Sequence, residues 1–449
     1  MTSSTAFLLL GPLALFAALY ALGGTRRWAA IAAAVGLAVE ALACLRLPTD
    51  SGLVILEHAL VLDAASRMAL AWVAGASALL ALAAAFVPVQ ASVAMFLLPA
   101  VSASGAALAL GPGLPSLAAM GVVMPLAAWL FQARTESAGR GASRVAVAGA
   151  MGLCAFAVAD VLLTRALTAE VEQVPPWAAI GALAIIGTAA YLGLFPFSAS
   201  LRGIADAGRP LAAGWVLGVF QPLVLVHVAR AVGAYPELLR TTPVPPLAWA
   251  VAAVGALTGG AFAAVSDRPS RMLAYSALPG MAVLYLGLFA AEARTSGLYW
   301  LAVAGYSLAV VLASVALVAV ERDRSPQGLA GWAGAARRDV AALALLLVAA
   351  LGLCALPVGV GFWVHARPAL PSAPVWVARG LTIAPLVASV GWWRVLWAAV
   401  RETREPRSGA RRLASLCLWA LAGAATVLFV WPAPLLRIAT ALAAALGSL

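Results

Sequence analysis

Apolar residues run without interruption for about 18 to 24 positions at a time, again and again, along almost the whole of this chain. A run of that length crosses the hydrocarbon core of a bilayer as an α-helix, because lipid offers no partner to an unpaired backbone N–H or C=O. Transmembrane β-strands alternate polar and apolar residues over about ten positions, and the runs here are continuous. Composition agrees: of 449 residues 64% are hydrophobic and 10% charged, with a mean hydropathy of +1.01. No water-soluble domain needs that much apolar surface. The reading is an all-α polytopic membrane protein that forms a single membrane domain over 1–449.

Fourteen segments can be placed, each bounded by Gly, Pro or charge, at approximately 5–22, 28–45, 66–87, 91–110, 115–132, 144–165, 177–197, 209–231, 246–265, 270–291, 297–320, 339–357, 374–398 and 412–430. Two of them read as broken. One run ends around Pro196 in FPFSASLRGIADAGRP, and another continues past Pro357 as LPVGVGFWVHARP. Proline and glycine interruptions of this kind mark discontinuous helices, whose freed backbone groups face protein or a water-filled cavity. The tail after Trp431 is too short and interrupted for a fifteenth span and suits an interfacial helix.

Arginine placement orients the count. All 28 basic residues are arginine; there is no lysine. With the N-terminus outside, 19 arginines fall on cytoplasmic connections, among them Arg26, Arg27, Arg134, Arg140, Arg268, Arg271, Arg337, Arg338 and Arg404, and 9 on the opposite side. That is the positive-inside asymmetry. It places both termini on the outer or periplasmic side of a bacterial-type inner membrane. The segment Phe7 to Leu22 lacks a positively charged start and precedes Arg26 and Arg27, so it reads as a retained helix rather than a signal peptide.

The net charge of +11 is spread as single or paired arginines at helix ends, which suits membrane anchoring and not nucleic acid. Cys44, Cys154, Cys354 and Cys417 are far apart inside apolar segments and have no metal-ligand spacing. Phosphate-cradling glycine loops, cysteine clusters and paired haem histidines are all missing from the sequence. No catalytic residue, metal site or cofactor is therefore expected in this chain, and redox chemistry would sit in other subunits.

Several stretches resemble the antiporter-like membrane subunits of respiratory complex I, Mrp-type antiporters and membrane-bound hydrogenases. GALTGGAFAAVSDRPSRMLAYSALPGMAVLYLGL, from Gly255 to Leu288, is similar to the family segment ending in Lys-Arg-x-x-Ala-Tyr-Ser, with Tyr275 as the tyrosine. GLAGWAGAARRDVAALALLLVAALGLCALPVGVGF resembles the approach to the family's broken twelfth helix. LVLDAASRMALAWV resembles the start of its third helix, with Asp63 and Arg67 one turn apart, a spacing that suits a local ion pair. IIGTAAYLGLFPFSASL resembles the broken seventh helix. The compact end, and Tyr299 and Tyr306 in the eleventh helix, look most like the N-type subunit of NADH-quinone oxidoreductase.

The resemblance implies two inverted five-helix repeats, helices four to eight and nine to thirteen, each with one broken helix. The chain then divides into N-terminal helices one to three (1–90), a first repeat (91–231), a second repeat (246–398), and a last helix with an interfacial tail (412–449). It also implies ion translocation coupled to electron transfer in other membrane and peripheral subunits.

The family's ion-path residues are mostly replaced. The fifth-helix glutamate falls at Val123, the seventh-helix lysine at Tyr191, the eighth-helix lysine at about Pro222 next to Gln221, and the histidine after the seventh-helix Pro-Phe at Ser198. In the twelfth helix the position reads His365, a group that titrates near neutrality. Lysine gives up its proton when desolvated, arginine does not, and valine and proline cannot titrate at all. A codon bias toward arginine explains surface arginines but not Tyr191 or Pro222.

Tyr191, Gln221 and Ser198 remain able to hold a water file, with His365 as a terminal relay or as a histidine hydrogen-bonded within a broken helix. Glu40, an intramembrane acid, is a functional candidate that also lies within two turns of a helix end and can snorkel. His227 and Asp160 lie near helix ends and suit interface anchoring. The expectation is a membrane subunit of a complex I-like assembly with a degenerate ion path, so mainly structural. The alternatives are an active proton or sodium translocator rerouted through Glu40, Asp160 or His227, and a membrane anchor for a cytoplasmic partner without ion flux.

Overall fold

A computed structural model of the chain describes residues 4–23, 27–47, 53–55, 58–87, 91–128, 136–168, 176–206, 210–240, 244–289, 296–321, 328–354, 374–401 and 412–447. The helices are α1 (Ser4–Ala21), α2 (Arg27–Arg46), α3 (Ala64–Ala85), α4 (Ala91–Ala109), α5 (Leu114–Ala128), α6 (Glu136–Thr168), α7 (Trp177–Leu192) and α8 (Ala199–Asp206). They continue as α9 (Pro210–Ala234), α10 (Val244–Val265), α11 (Pro269–Gly287), α12 (Gly297–Glu321), α13 (Val340–Leu353), α14 (Val375–Val400), α15 (Arg412–Val430) and α16 (Ala433–Gly447).

Each of the fourteen apolar segments coincides with one helix, most within two or three residues of the expected bounds. Among the described residues eight helices are long and apolar enough to cross a membrane, or nine if α15 and α16, bent by 63° at their junction, form one span. The apolar parts of α4, α5, α7 and α13 are shorter. The break near Pro196 is present: α7 stops at Leu192, and the short α8 follows after a turn. The break near Pro357 lies outside the described residues.

One feature departs from an all-helical reading. Residues 53–55 and 58–60 pair as a two-stranded antiparallel hairpin with Leu53 opposite Leu60 and Ile55 opposite His58. The run VILEHALVL, apolar apart from Glu57 and His58, is too short to span a membrane and sits between α2 and α3.

Burial ranks the helices by position. The apolar span of α9 is buried throughout and that of α12 over 78% of its length, whereas α1 is buried over only 28%. A helix that is apolar all round belongs at the centre, and α9 is that helix here. Gly214 and Gly218 let α12 come close: a Cβ at Gly214 would sit 2.5 Å from Ser314 Oγ, and one at Gly218 2.9 Å from Val311. Small residues one turn apart are the usual means of close packing in lipid, where apolar burial alone does not bring helices together.

The same device joins α10 to α14. A Cβ at Gly260 or Gly391 would overlap the carbonyl of Ala384 or Ala263 respectively. Arg394 of α14 then reaches past the end of α10, donating to the carbonyls of Ala264 (2.6 Å) and Ser266 (3.2 Å) and pairing with Asp267 (2.6 Å). A cation at these orphan carbonyls suits the negative end of the helix dipole.

Gly260→Val is therefore expected to force α10 and α14 apart and to lower the thermal midpoint of the purified protein by the equivalent of about 1–3 kcal/mol or more. Gly423→Val, at a helical glycine with nothing within 4 Å, is the control and should melt close to wild type.

Candidate functional site

The break in α7 is built by one glycine. Gly193 sits at φ +63°, a left-handed conformation that costs glycine little. Its N–H bonds the Ala190 carbonyl at 3.4 Å, and the N–H of Leu194 bonds the Ala189 carbonyl at 2.9 Å, the paired closure of a Schellman motif. The chain then passes a cis Phe195–Pro196 bond and restarts as α8. Such an ending leaves the Leu192 carbonyl without a helical partner. Gln221 supplies one, donating from Nε2 at 2.6 Å from within buried α9.

Gln221 can do this because α9 is locally widened and underwound. Residues 216–220 form a π-helical turn, and the N–H of Gln221 bonds back to the Val216 carbonyl. Pro222 has no N–H to continue the ladder, which frees a carbonyl one turn earlier. The Gly218 carbonyl accepts from the Ser307 hydroxyl of α12, and Ser307 in turn accepts from the Trp72 indole N–H of α3 at 2.8 Å. The Oε1 of Gln221 accepts from the Tyr306 hydroxyl at 3.1 Å. Three helices are thereby tied to the proline-interrupted stretch of α9.

Tyr191 completes the cluster from the last turn of α7. Its hydroxyl donates to the Leu117 carbonyl of α5 at 3.0 Å. Its ring lies 5.5 Å from that of Phe156 and edge-on to Phe220 at 6.0 Å. Room for the ring comes from Gly152 of α6 and Gly121 of α5, where any Cβ would overlap it. The structure thus brings Tyr191 near Gln221 and Pro222, where Phe220 packs on the Tyr191 ring and Gln221 bonds the end of α7. Every member is neutral, and each polar group of Tyr191 and Gln221 named here already has a protein partner.

Other expected residues fall elsewhere. Val123 is buried in α5, and Ser198 is half-buried just before α8. Tyr275 stacks on Phe262 with ring centres 5.3 Å apart. His365 and Pro357 lie outside the described residues. Glu40 is 4% exposed and faces α1, where a Cβ at Gly11 would stand 3.8 Å from its Oε2. Its Oε1 has no hydrogen-bond partner among the described residues.

Asp63 and Arg67 do not form the local pair that their spacing suggested. Asp63 caps α3 by accepting from the Ser66 N–H at 2.7 Å, and its other oxygen pairs at 2.7 Å with Arg230 of α9. Arg67 instead donates to the carbonyls of Cys44 (2.7 Å) and Leu47 at the end of α2. The N-cap geometry holds one carboxylate oxygen over the first-turn N–H groups and leaves the other to Arg230, while orphan carbonyls compete for the Arg67 guanidinium.

The Arg230 side chain is fully buried and also donates to the Leu108 carbonyl at 2.9 Å. His227, expected as an interface anchor, is instead wholly buried one turn before it. Ser116 donates to the Gly113 carbonyl at 2.8 Å, which leaves its oxygen to accept from His227 Nδ1 at 3.2 Å. That assignment puts the proton on Nδ1 and leaves Nε2 unpartnered among the described residues. No group of three metal-capable side chains occurs among those residues. Sequence reasoning missed Arg230, Ser307 and Trp72. The available signal was an arginine next to the end of the eighth apolar segment, one turn after His227.

Removing Asp63 while Arg230 stays buried should cost about 3 kcal/mol, the low end for a broken buried pair because Asp63 is about a third exposed. Asp63→Ala should therefore melt well below wild type, and Asp63→Ala with Arg230→Met should recover most of the loss. If the double variant melts no higher than the single one, the bridge is not the cause. Tyr306→Phe, which strips Gln221 of one donor, should cost about 1 kcal/mol in the same assay.

No protein-family model matches the chain. It is 30% identical over 220 residues, 46% of its length, to an NADH-quinone oxidoreductase subunit N 2 from Acidobacterium capsulatum, and 31% identical over 154 residues to NADH-quinone oxidoreductase subunit 14 from Thermus thermophilus. The matches span 44% and 35% of those relatives, less than half the length of each. Solved structures share the fold from end to end. A chain of respiratory complex I from Thermus thermophilus superposes with a TM-score of 0.75 at 20% identity, covering 98% of this chain and 99% of that one. A chain of the membrane-bound sulfane sulfur reductase, an archaeal respiratory membrane complex, gives 0.81 at 16% identity, covering 99% and 97%. The chain is thus similar in sequence to N-type subunits of NADH-quinone oxidoreductase, and it carries the fold of the antiporter-like membrane subunits of complex I and its relatives.

Proposed function

We propose that this chain is an integral membrane subunit of a complex I-like assembly whose own ion path in the first repeat is closed. The observation that carries the reading is the Tyr191–Gln221–Tyr306 cluster. At the break in α7, where the resemblance puts lysines, the buried polar groups are neutral and bonded to backbone or to one another. A proton path needs successive groups that gain and lose a proton at modest cost, and this cluster supplies a rigid joint instead. Val123 adds nothing that titrates. The subunit's contribution is then to hold its neighbours in register, with His365 as the remaining relay in the second repeat.

The finer topology belongs to the same proposal: fourteen crossings, two inverted repeats and both termini on the outer side of the inner membrane. In its support, fourteen apolar segments are helical, and Arg394, Asp267 and the carbonyl of Arg401, which accepts from Gly334, gather at one end of the bundle. Electron donors, redox groups and peripheral partners would come from other subunits.

A second reading rests on Glu40. A buried carboxyl oxygen without a partner is costly unless it has a task, so a translocator rerouted through the N-terminal helices is the rival.

Affinity purification of the tagged chain from its native membrane is expected to bring down other membrane and peripheral subunits; a chain that isolates alone and stable rejects the subunit reading. In the reconstituted assembly, Tyr191→Phe should leave the ions moved per electron unchanged, whereas a fall of half or more would show that the first repeat conducts. Glu40→Gln should be silent as well, and loss of coupling there would favour the rerouted path. His365→Ala should lower the ratio if the second repeat conducts.

A further inference from the structure

Helix α14 presents a straight stripe to the outside of the bundle. Exposed residues fall at 376, 379, 383, 386, 390, 393 and 397, in alternating steps of three and four. Trp376 is 57% exposed, Trp393 63% and Trp397 69%, and between them Ile383, Leu386 and Val390 are each about half exposed. The small residues of the helix are on its other side. Gly380, Ala384 and Gly391 are buried and pack on α10.

We infer, on the subunit reading above, that this stripe is the flank by which the chain faces bilayer lipid in its assembly, with neither a neighbouring subunit nor a second copy against it. Three observations select lipid as the occupant. The tryptophans stand at the two ends of the stripe and the aliphatic side chains in its middle. At 1.5 Å per residue, Trp376 lies about 25 Å from Trp393 and about 32 Å from Trp397 along the axis, which brackets a hydrocarbon core of about 30 Å. Indole rings collect at the two headgroup levels because the ring is apolar and its N–H seeks water. A protein contact has the opposite order, with its large aromatics near the centre.

Helices in lipid also come together through small residues, because hydrocarbon tails are as apolar as leucine. No position of the stripe is glycine or alanine, and those buried against α10 are already engaged. Arg379 is the third observation. In a dry protein seam it would need a carboxylate, whereas beside lipid its long stem carries the guanidinium to the headgroups. The three–four rhythm also fits a coiled-coil seam, but such seams take branched aliphatics at these positions, not indoles and a guanidinium.

The test places the photoreactive residue p-benzoylphenylalanine at Leu386 or Val390 of the full chain. Native membranes are irradiated before affinity purification, and the adducts are read by mass spectrometry. Phospholipid adducts are expected at both positions, with no crosslinked protein. A crosslink to another subunit or to a second copy at either position overturns the inference and leaves the subunit reading intact. A chain that purifies alone rejects the subunit reading, and the same adducts then decide the face by itself. Where the photoprobe variants do not fold, tryptophan quenching decides. The purified material is placed in nanodiscs of phospholipid brominated either near the headgroup or near the chain ends. Emission of the Trp393→Phe, Trp397→Phe double variant is subtracted from that of wild type. The difference should be quenched at least twofold more by the shallow bromines than by the deep ones. A difference signal untouched by both lipids, or quenched equally or more by the deep bromines, overturns the inference.

Discussion

Inside a bilayer no water is available to repair a broken backbone hydrogen bond, and that constraint governs every irregularity in this structure. The central helix α9 departs from regular geometry at its π turn and at Pro222, and each departure is answered by a named side chain. Ser307 takes the carbonyl freed beside the proline, Gln221 takes the carbonyl freed where α7 stops, and Tyr306 satisfies Gln221 in turn. The same logic holds at the helix ends, where Arg67 and Arg394 serve orphan carbonyls of neighbouring helices. Polar residues here are ties between helices before they are anything else.

That reading separates scaffold from transport. Discontinuous helices in a membrane protein ordinarily frame a wet or charged site, and the break at Gly193 has kept its geometry. What fills it is an amide, two phenols and a proline. In the proposed reading, these neutral, mutually satisfied groups stiffen a joint and offer no place for a charge to pause. The Oε1 of Glu40 and the Nε2 of His227 stand outside this system, buried and without partners among the described residues. They mark where the chain tolerates cost for a reason the joint does not explain.

Most of the fold could be read from sequence because length and apolarity are decisive in lipid. All fourteen segments proved helical, and the break at Pro196 was visible as Gly193 and Pro196 interrupting one run. Tyr191, Gln221 and Pro222 are singled out by the resemblance alone, which places them at or beside family lysine positions on two different helices. What could not be read were the partners. Asp63 and Arg67 have the spacing of a helical pair, yet Asp63 reaches a residue 167 positions away, a contact that only the packing of α3 against α9 creates. The hairpin at 53–60 was likewise hidden, since a short apolar run between two helices has no period long enough to betray a strand.

The bridge from Asp63 to Arg230 has a consequence for how the protein is made. α3 emerges from the ribosome and enters the membrane long before α9 exists, so its carboxylate at first has only its own first turn to hold. The guanidinium arrives with the eighth apolar segment, and only then are the early helices bolted to the centre. Synthesis halted between the two would leave Asp63 with only its own cap to hold, and the bridge then joins the Trp72–Ser307 and Trp215–Ser77 bonds in tying α3 to the later helices.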